Sequence, residues 1–425
     1  MAKRGLFPGW KVVVGSAAGI GFGSIVFFAA SFALLAGAWA QRFGWAQTEL
    51  AKAAGIFLLV QAIMSPILGW FLDRWGTRKV AMISIVLFAI SLAMLSQIGN
   101  SLNQMYLTLA LMSLVSAGTN VPSYARAISL WFDRKRGRAL GLAASSQAIG
   151  AFLMPVMIQM IIAQFGWSAA LLAVAAVQLL VCLPLVALLV KNSPTPYGLL
   201  PDGAEPAGNV ATTRLEVAGL ELREILRPGA FWKLAVCFGI MGMSTYAIAA
   251  NMTFILTKTA GAAPAQVAKV VAITGIAMLL GRITFGYLLD KIHGSIIGVV
   301  ALLLTASCYV IYAMTDAPAL IYVGAFIGGM AIGGETDLMP YLAGRFFGTL
   351  AVARIYGWFL TMFFGGGTIG PAVFAYVMAV SNSAITPLLM LAALQIVPAV
   401  IFLSLGPYPV EAKQKPVALV TQPVV

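Results

Sequence analysis

Stretches of about twenty apolar residues recur from one end of this chain to the other, and they restrict its fold more than any other feature. A run such as "VVAITGIAMLLGRITFGYLL", beginning at Val270, has the length of one helix crossing ~30 Å of hydrocarbon. Windows of this kind lie near 12–38, 50–72, 80–98, 105–130, 139–163, 169–190, 232–257, 266–289, 296–314, 318–342, 355–380 and 384–406. They predict an all-α integral membrane protein with twelve spans. Composition agrees: 61% of residues are hydrophobic and 9% charged, outside the range of a water-soluble domain of this length. The first run, behind the basic "MAKRGLFPGWK", is too long for a signal peptide and has no small-residue cleavage site, so no processing is expected.

A net charge of +13 would suggest nucleic acid for a soluble chain, and its distribution removes that reading. With the N-terminus inside, 21 of the 26 Lys and Arg residues fall on one side of the membrane, four (Arg42, Lys52, Lys258, Lys269) fall on the other, and Arg282 lies within a span. This is the positive-inside bias, and it predicts cytoplasmic termini. Cys182, Cys237 and Cys308 lie in apolar windows without metal or redox spacing and read as packing residues. No nucleophile and base set, metal cluster or nucleotide loop is recognisable, so neither an enzyme nor a cofactor is expected.

Between the sixth and seventh windows the texture changes to a Pro-, Gly- and charge-rich connection, residues 191–229. It predicts a six-helix unit at 1–190, a cytoplasmic loop at 191–230, a second six-helix unit at 231–407 and a tail at 408–425. The later part of the loop, "LEVAGLELREIL", has the pattern of a short amphipathic helix on the membrane surface. The halves repeat one another: a shift of 217 residues lays Gly44 on Gly261, Ala51 and Lys52 on Ala268 and Lys269, Gly69 on Gly286, and Asp73 on Asp290. Parallel six-helix repeats joined by a loop are a plan on which transporters place a substrate site between halves that rock alternately.

The stretch "GWFLDRWGTRK", Gly69 to Lys79, resembles the signature of the major facilitator superfamily. Gly69 allows close helix contact, Asp73 can cap a helix or pair with basic residues, Gly76 falls in the turn, and Arg74, Arg78 and Lys79 hold the loop at the cytoplasmic face. "GYLLDKIHG", containing Asp290, is a degenerate copy. "WFDRKRGRALGLAASSQAIG", Trp131 to Gly150, is similar to the helix-five signature of the monocarboxylate transporters. "PGWKVV", "FGWAQTELAKA" and "GGETDLMPYLAGRFFG" resemble bacterial members of that group and of the oxalate/formate exchangers.

Arg282 lies eight residues before Asp290, which marks the end of its span, and so ~12 Å into the bilayer at ~1.5 Å per residue. A charge at that depth faces a protein interior or a water-filled cavity. In the resembled family an arginine in this "GR...G" context binds the substrate carboxylate, and Gly281, Arg282 and Gly286 match it. A guanidinium suits the role because it presents a fixed fork of donors and keeps its charge throughout a cycle. The alternative is that Arg282 ties helices together. The chain also departs from its relatives. Met278 stands where they have an aspartate one turn before the arginine, the first span has no lysine, and the eleventh has no charge. One central cation favours monoanions over dicarboxylates, and proton coupling is left without the residues that carry it in the relatives.

Glu335 and Asp337 in the tenth span are the candidates for proton coupling. Pairing with Arg345 or Arg354 is the competing reading. Asn120, Tyr124, Gln147, Tyr246, Asn251 and Thr361 are candidates to line the cavity, with Phe28, Phe27 and Phe32 as an apolar wall. The resemblance thus implies a secondary active transporter of small organic anions, monocarboxylates in particular, working by alternating access with proton symport. Anion exchange and, further off, drug efflux are the alternatives. The expected setting is a bacterial-type inner membrane. The expected partners are a monocarboxylate, protons and the bilayer, with no nucleic acid, and the working unit is expected to be a monomer.

Overall fold

A computed structural model describes residues 7–203, 229–260, 264–315, 317–348 and 352–408. In the first half, α1 is Gly9–Gly21, α2 Ser24–Phe43, α3 Gln47–Trp75, α4 Thr77–Leu95, α5 Leu102–Ser116, α6 Val121–Trp131, α7 Arg136–Val177 and α8 Leu183–Leu189. In the second, α9 is Gly229–Ala260, α10 Pro264–Leu289, α11 Gly294–Met314, α12 Pro318–Phe347, α13 Val352–Ser381, α14 Ile385–Leu394 and α15 Ile396–Leu403. The amphipathic "LEVAGLELREIL" and the tail beyond Tyr408 lie outside the described residues.

Among the described residues, ten helical segments are long and apolar enough to cross a bilayer. They cover the twelve windows except for two local effects. The fifth and sixth windows run together in α7, broken only at Gly166, whose φ of 83° is one that a side chain would oppose. The fourth window is two short helices, α5 and α6, separated by a 3-10 turn at Ala117–Thr119.

The first window is also divided, at Phe22 and Gly23, and the breaks satisfy one another. The first turn of α2 has backbone donors with no partner in the helix. Ser24 N–H donates to Thr119 Oγ1 at 3.0 Å and Ile25 N–H to Asn120 Oδ1 at 3.1 Å. From the sixth span, where a π-turn covers Gln178–Cys182, the Gln178 amide donates to the Phe22 carbonyl. Three spans are therefore interrupted where they meet, and the released backbone groups bond across the gap, as irregular backbone inside a membrane requires.

The second half is organised around two tight helix pairs, α10 with α12 and α9 with α13. The halves meet along α3 against α13 and α7 against α10. Both contacts are made by small residues. A Cβ on Gly69 of α3 would lie 2.5 Å from Arg354 Cα, and one on Gly141 of α7 would lie 2.5 Å from the Arg282 carbonyl oxygen. Such backbone approach is how helices associate in lipid, which provides no hydrophobic driving force between them. Large apolar side chains such as Leu180, Leu107 and Phe152 point outward instead.

Candidate functional site

Arg282 sits where the α7–α10 and α10–α12 contacts intersect. On the α12 side, Gly333 comes so close that a Cβ there would lie 2.8 Å from Arg282 N. One turn further along α12, Asp337 faces the guanidinium, and Arg282 Nη1 donates to Asp337 Oδ1 at 3.0 Å. Arg282 is 4% and Asp337 2% exposed. The pair is incompletely bonded: Arg282 Nε and Asp337 Oδ2 are buried and have no hydrogen-bond partner. Tyr356 of α13, also buried, is within electrostatic reach of both charges. The acid that faces Arg282 is thus supplied from the neighbouring helix rather than from its own.

Glu335 lies two residues from Asp337, and a helix turns ~200° in that interval, so the two acids face different neighbours. Glu335 Oε1 accepts a 2.6 Å hydrogen bond from Thr305 Oγ1 of α11 and is 1% exposed. Neither acid pairs with the arginines that the sequence suggested. Arg345 bonds Asp133 at 3.2 Å, and Arg354 bonds Asp73 at 3.2 Å, both at the end of the bundle where Arg282's helix terminates.

The remaining candidates are scattered among structural contacts. Asn120 is committed to Ser24 and Ile25 at the α1–α2 break. Tyr124 is fully buried beside Gly19, its hydroxyl without a partner. Gln147 is half-buried on α7. Phe28 stacks on Phe57 at 4.1 Å, while Phe27 meets Phe88 and Phe32 meets Phe28. Tyr246 packs against Phe363 and Phe364, Asn251 donates to the Ala247 carbonyl of its own helix, and Thr361 donates to Ala62 O across the α3–α13 contact.

At the basic end of the bundle, Asp73 accepts from Arg126 of α6 at 3.1 Å and from Arg354 of α13 at 3.2 Å, so one carboxylate joins the two halves. Gly76, φ 80°, turns α3 into α4. Arg74 lies over Trp70, Arg78 donates to Asn192 Oδ1 and Ala187 O, and Lys79 is exposed. Asp290, the repeat copy, caps the start of α7: Gly137 N–H and Arg138 N–H donate to its oxygens at 2.6 and 3.1 Å. Burial pushes the Asp290 carboxyl above its ordinary pKa, while those two backbone donors pull it down. Asp133 and Asp202 went unrecognised in the sequence, and Arg345 was weighed there only as a partner for the tenth-span acids. Asp202 accepts from the backbone N–H groups of Asp133, Arg134 and Lys135, a contact between the central loop and the loop before α7 that no local pattern announces.

The bundle has two halves bridged by ion pairs at one end and a buried arginine at a helix contact between them. The model of the Major Facilitator Superfamily matches residues 14–371, and the chain belongs to that family. Among similar proteins, monocarboxylate transporter 13 of Bos taurus is 25% identical over 348 residues, covering 79% of this chain and 76% of its own. The MFS transporter asaE of Aspergillus flavus is 25% identical over 287 residues, 66% of this chain and 59% of its own length. Monocarboxylate transporter 11 of Mus musculus is 30% identical over 175 residues, 40% of this chain and 38% of its own. The chain therefore spans less than two thirds of two of these relatives. Of solved structures, the human organic anion transporter MFSD10 superposes with a TM-score of 0.71 at 14% identity, covering 93% of this chain and 99% of that one. The E. coli fucose:proton symporter FucP superposes with a TM-score of 0.65 at 14% identity, covering 92% and 98%. These likenesses establish the fold.

Proposed function

We propose that this chain carries small organic monoanions in symport with protons, Arg282 holding the substrate carboxylate and Asp337 the proton. The observation behind this reading is the buried Arg282–Asp337 pair, with one donor and one acceptor atom unused. Two buried opposite charges are tolerable together, and removing either leaves the other strongly disfavoured. A substrate carboxylate that takes Arg282 would add one negative charge to a neutral pair. A proton on Asp337 cancels that charge and frees the guanidinium, so anion and proton enter one to one and the site stays neutral throughout. Glu335, engaged with Thr305 rather than with Arg282, has no part in this exchange. The names of the monocarboxylate-transporter relatives support the substrate class, at low identity.

The two six-helix units at 1–190 and 231–407 are the rocking bodies in this reading, the basic end faces the cytoplasm of a bacterial-type inner membrane, and Asp73 and Asp290 belong to its gate. The test is uptake of labelled short monocarboxylates into proteoliposomes, with and without an acid-outside gradient. Accumulation above equilibrium only with the gradient is the expected result. Equal accumulation without it would support anion exchange instead, and no uptake of any monocarboxylate would reject the substrate class.

A further inference from the structure

Beside the N-terminus of α1, a cleft of 280 Å³ opens between Pro8, Lys11, Leu188, Lys191 and Tyr197, with the buried Trp131 also lining it. We propose that this cleft binds the headgroup of one anionic glycerophospholipid. Its chemistry divides as a lipid requires. Lys11 and Lys191 contribute two ammonium groups, neither in an ion pair among the described residues. The positive end of the α1 dipole, starting at Gly9 after Pro8, points to the same level. On the lipid side Leu188 is 70% exposed, offering apolar surface to an acyl chain. Tyr197, 54% exposed, stands at the mouth of the cleft with its ring 6.2 Å from that of the buried Trp131, a position favoured by amphipathic aromatics.

The cleft is also held in shape. Trp131 Nε1 donates to Lys191 O at 2.9 Å, which fixes the backbone from which Lys191 projects. Arg78 Nη2 donates to Ala187 O at 2.6 Å, adding a third cation behind the last turn of α8. A basic cleft between membrane helices at headgroup depth, with an apolar flank, matches the electrostatics of anionic-lipid recognition. A free phosphate would use the lysines and leave the apolar flank idle, so the lipid is the better occupant. The proposal depends on the membrane placement of the chain and not on which solute it carries.

The experiment measures binding rather than transport. The full chain in detergent is titrated with dioleoyl phosphatidylglycerol, dioleoyl phosphatidylcholine or glycerol 3-phosphate, with thermal unfolding and native mass spectrometry as readouts. The expected result is one retained phosphatidylglycerol per chain and a rise in melting temperature that phosphatidylcholine and glycerol 3-phosphate do not reproduce. Lys11→Gln combined with Lys191→Gln, the first residue exposed and the second half-buried, should weaken that retention at least ten-fold with the unliganded melting temperature unchanged. Lys291→Gln, an exposed lysine at the same end of the bundle but outside the cleft, should retain the lipid. Equal retention of phosphatidylcholine, equal stabilisation by glycerol 3-phosphate, or equal weakening by Lys291→Gln would each overturn the site.

Discussion

A guanidinium in hydrocarbon needs a partner, and Arg282 has one in Asp337, 3.0 Å away. Removing one member of a desolvated charge pair commonly costs ~2 to 5 kcal/mol. Arg282→Ala should therefore abolish substrate binding, and Arg282→Lys should follow it because a point charge cannot reproduce the guanidinium fork. Equilibrium binding on protein shown to be folded and inserted is the check, and unchanged affinity in Arg282→Ala would reject its role. Asp337→Asn makes the opposite separation. It leaves Arg282 able to hold a carboxylate but removes the proton carrier, so downhill exchange should persist while accumulation in an acid-outside gradient disappears. Continued concentration of substrate by Asp337→Asn would assign the proton elsewhere, Glu335 first. Glu335 was as eligible as Asp337 from the sequence, since both are acids in one apolar window. The rotation of α12 against α10 and α11 separates them, and that rotation depends on where Gly333 lets two backbones touch.

Among the helices, the interrupted ones carry the clearest consequence. Asn120 reads from the sequence as a polar side chain able to line a cavity, yet it supplies the acceptor for Ile25 N–H and donates to Ser24 Oγ. Its truncation would leave the Ile25 N–H without its acceptor, which costs ~1–3 kcal/mol. Asn120→Ala should lower the thermal stability of the purified protein accordingly and raise hydrogen exchange at the start of α2. Asn120→Asp, which keeps the acceptor, should preserve more of that protection. If exchange at Ile25 is the same in Asn120→Ala as in the parent chain, the side chain is not what secures the break. Pro and Gly mark candidate interruptions in a sequence, but whether three breaks fall at one level depends on how the spans are staggered in the bundle.

Across the whole molecule, Asp73 joins α3, α6 and α13 and so links the halves at the basic end. Asp73→Asn should change the rate of conformational exchange, slowing transport several-fold, while equilibrium substrate binding changes far less. A loss of affinity as steep as the loss of rate would show that the residue acts on recognition. The same ion pairs decide the charge of the central site. Arg126 and Arg354 are occupied with Asp73, and Arg345 with Asp133, leaving Arg282, among the described residues, as the cation at the proposed substrate level. A second carboxylate there would be desolvated without a partner. Fully ionised dicarboxylates such as oxalate should therefore compete at least ten-fold more weakly than monocarboxylates, about 1.4 kcal/mol. Equal or tighter competition would require one of those arginines to leave its carboxylate and enter the cavity.

The all-helical membrane character and the burial of Arg282 were legible in the chain alone, because hydrophobic length and the cost of a charge in lipid are properties of linear sequence. Asp73 and Asp290 were legible as a motif and its copy. Their different uses, one pairing with two arginines and the other capping α7, were not. The partner of Arg282 was likewise decided only in three dimensions. It lies 55 residues away on another helix, and no spacing rule selects Asp337 over Glu335. Which acid meets the arginine is set by the axial register and rotation of packed helices, and in lipid that register follows from where small residues let backbones approach.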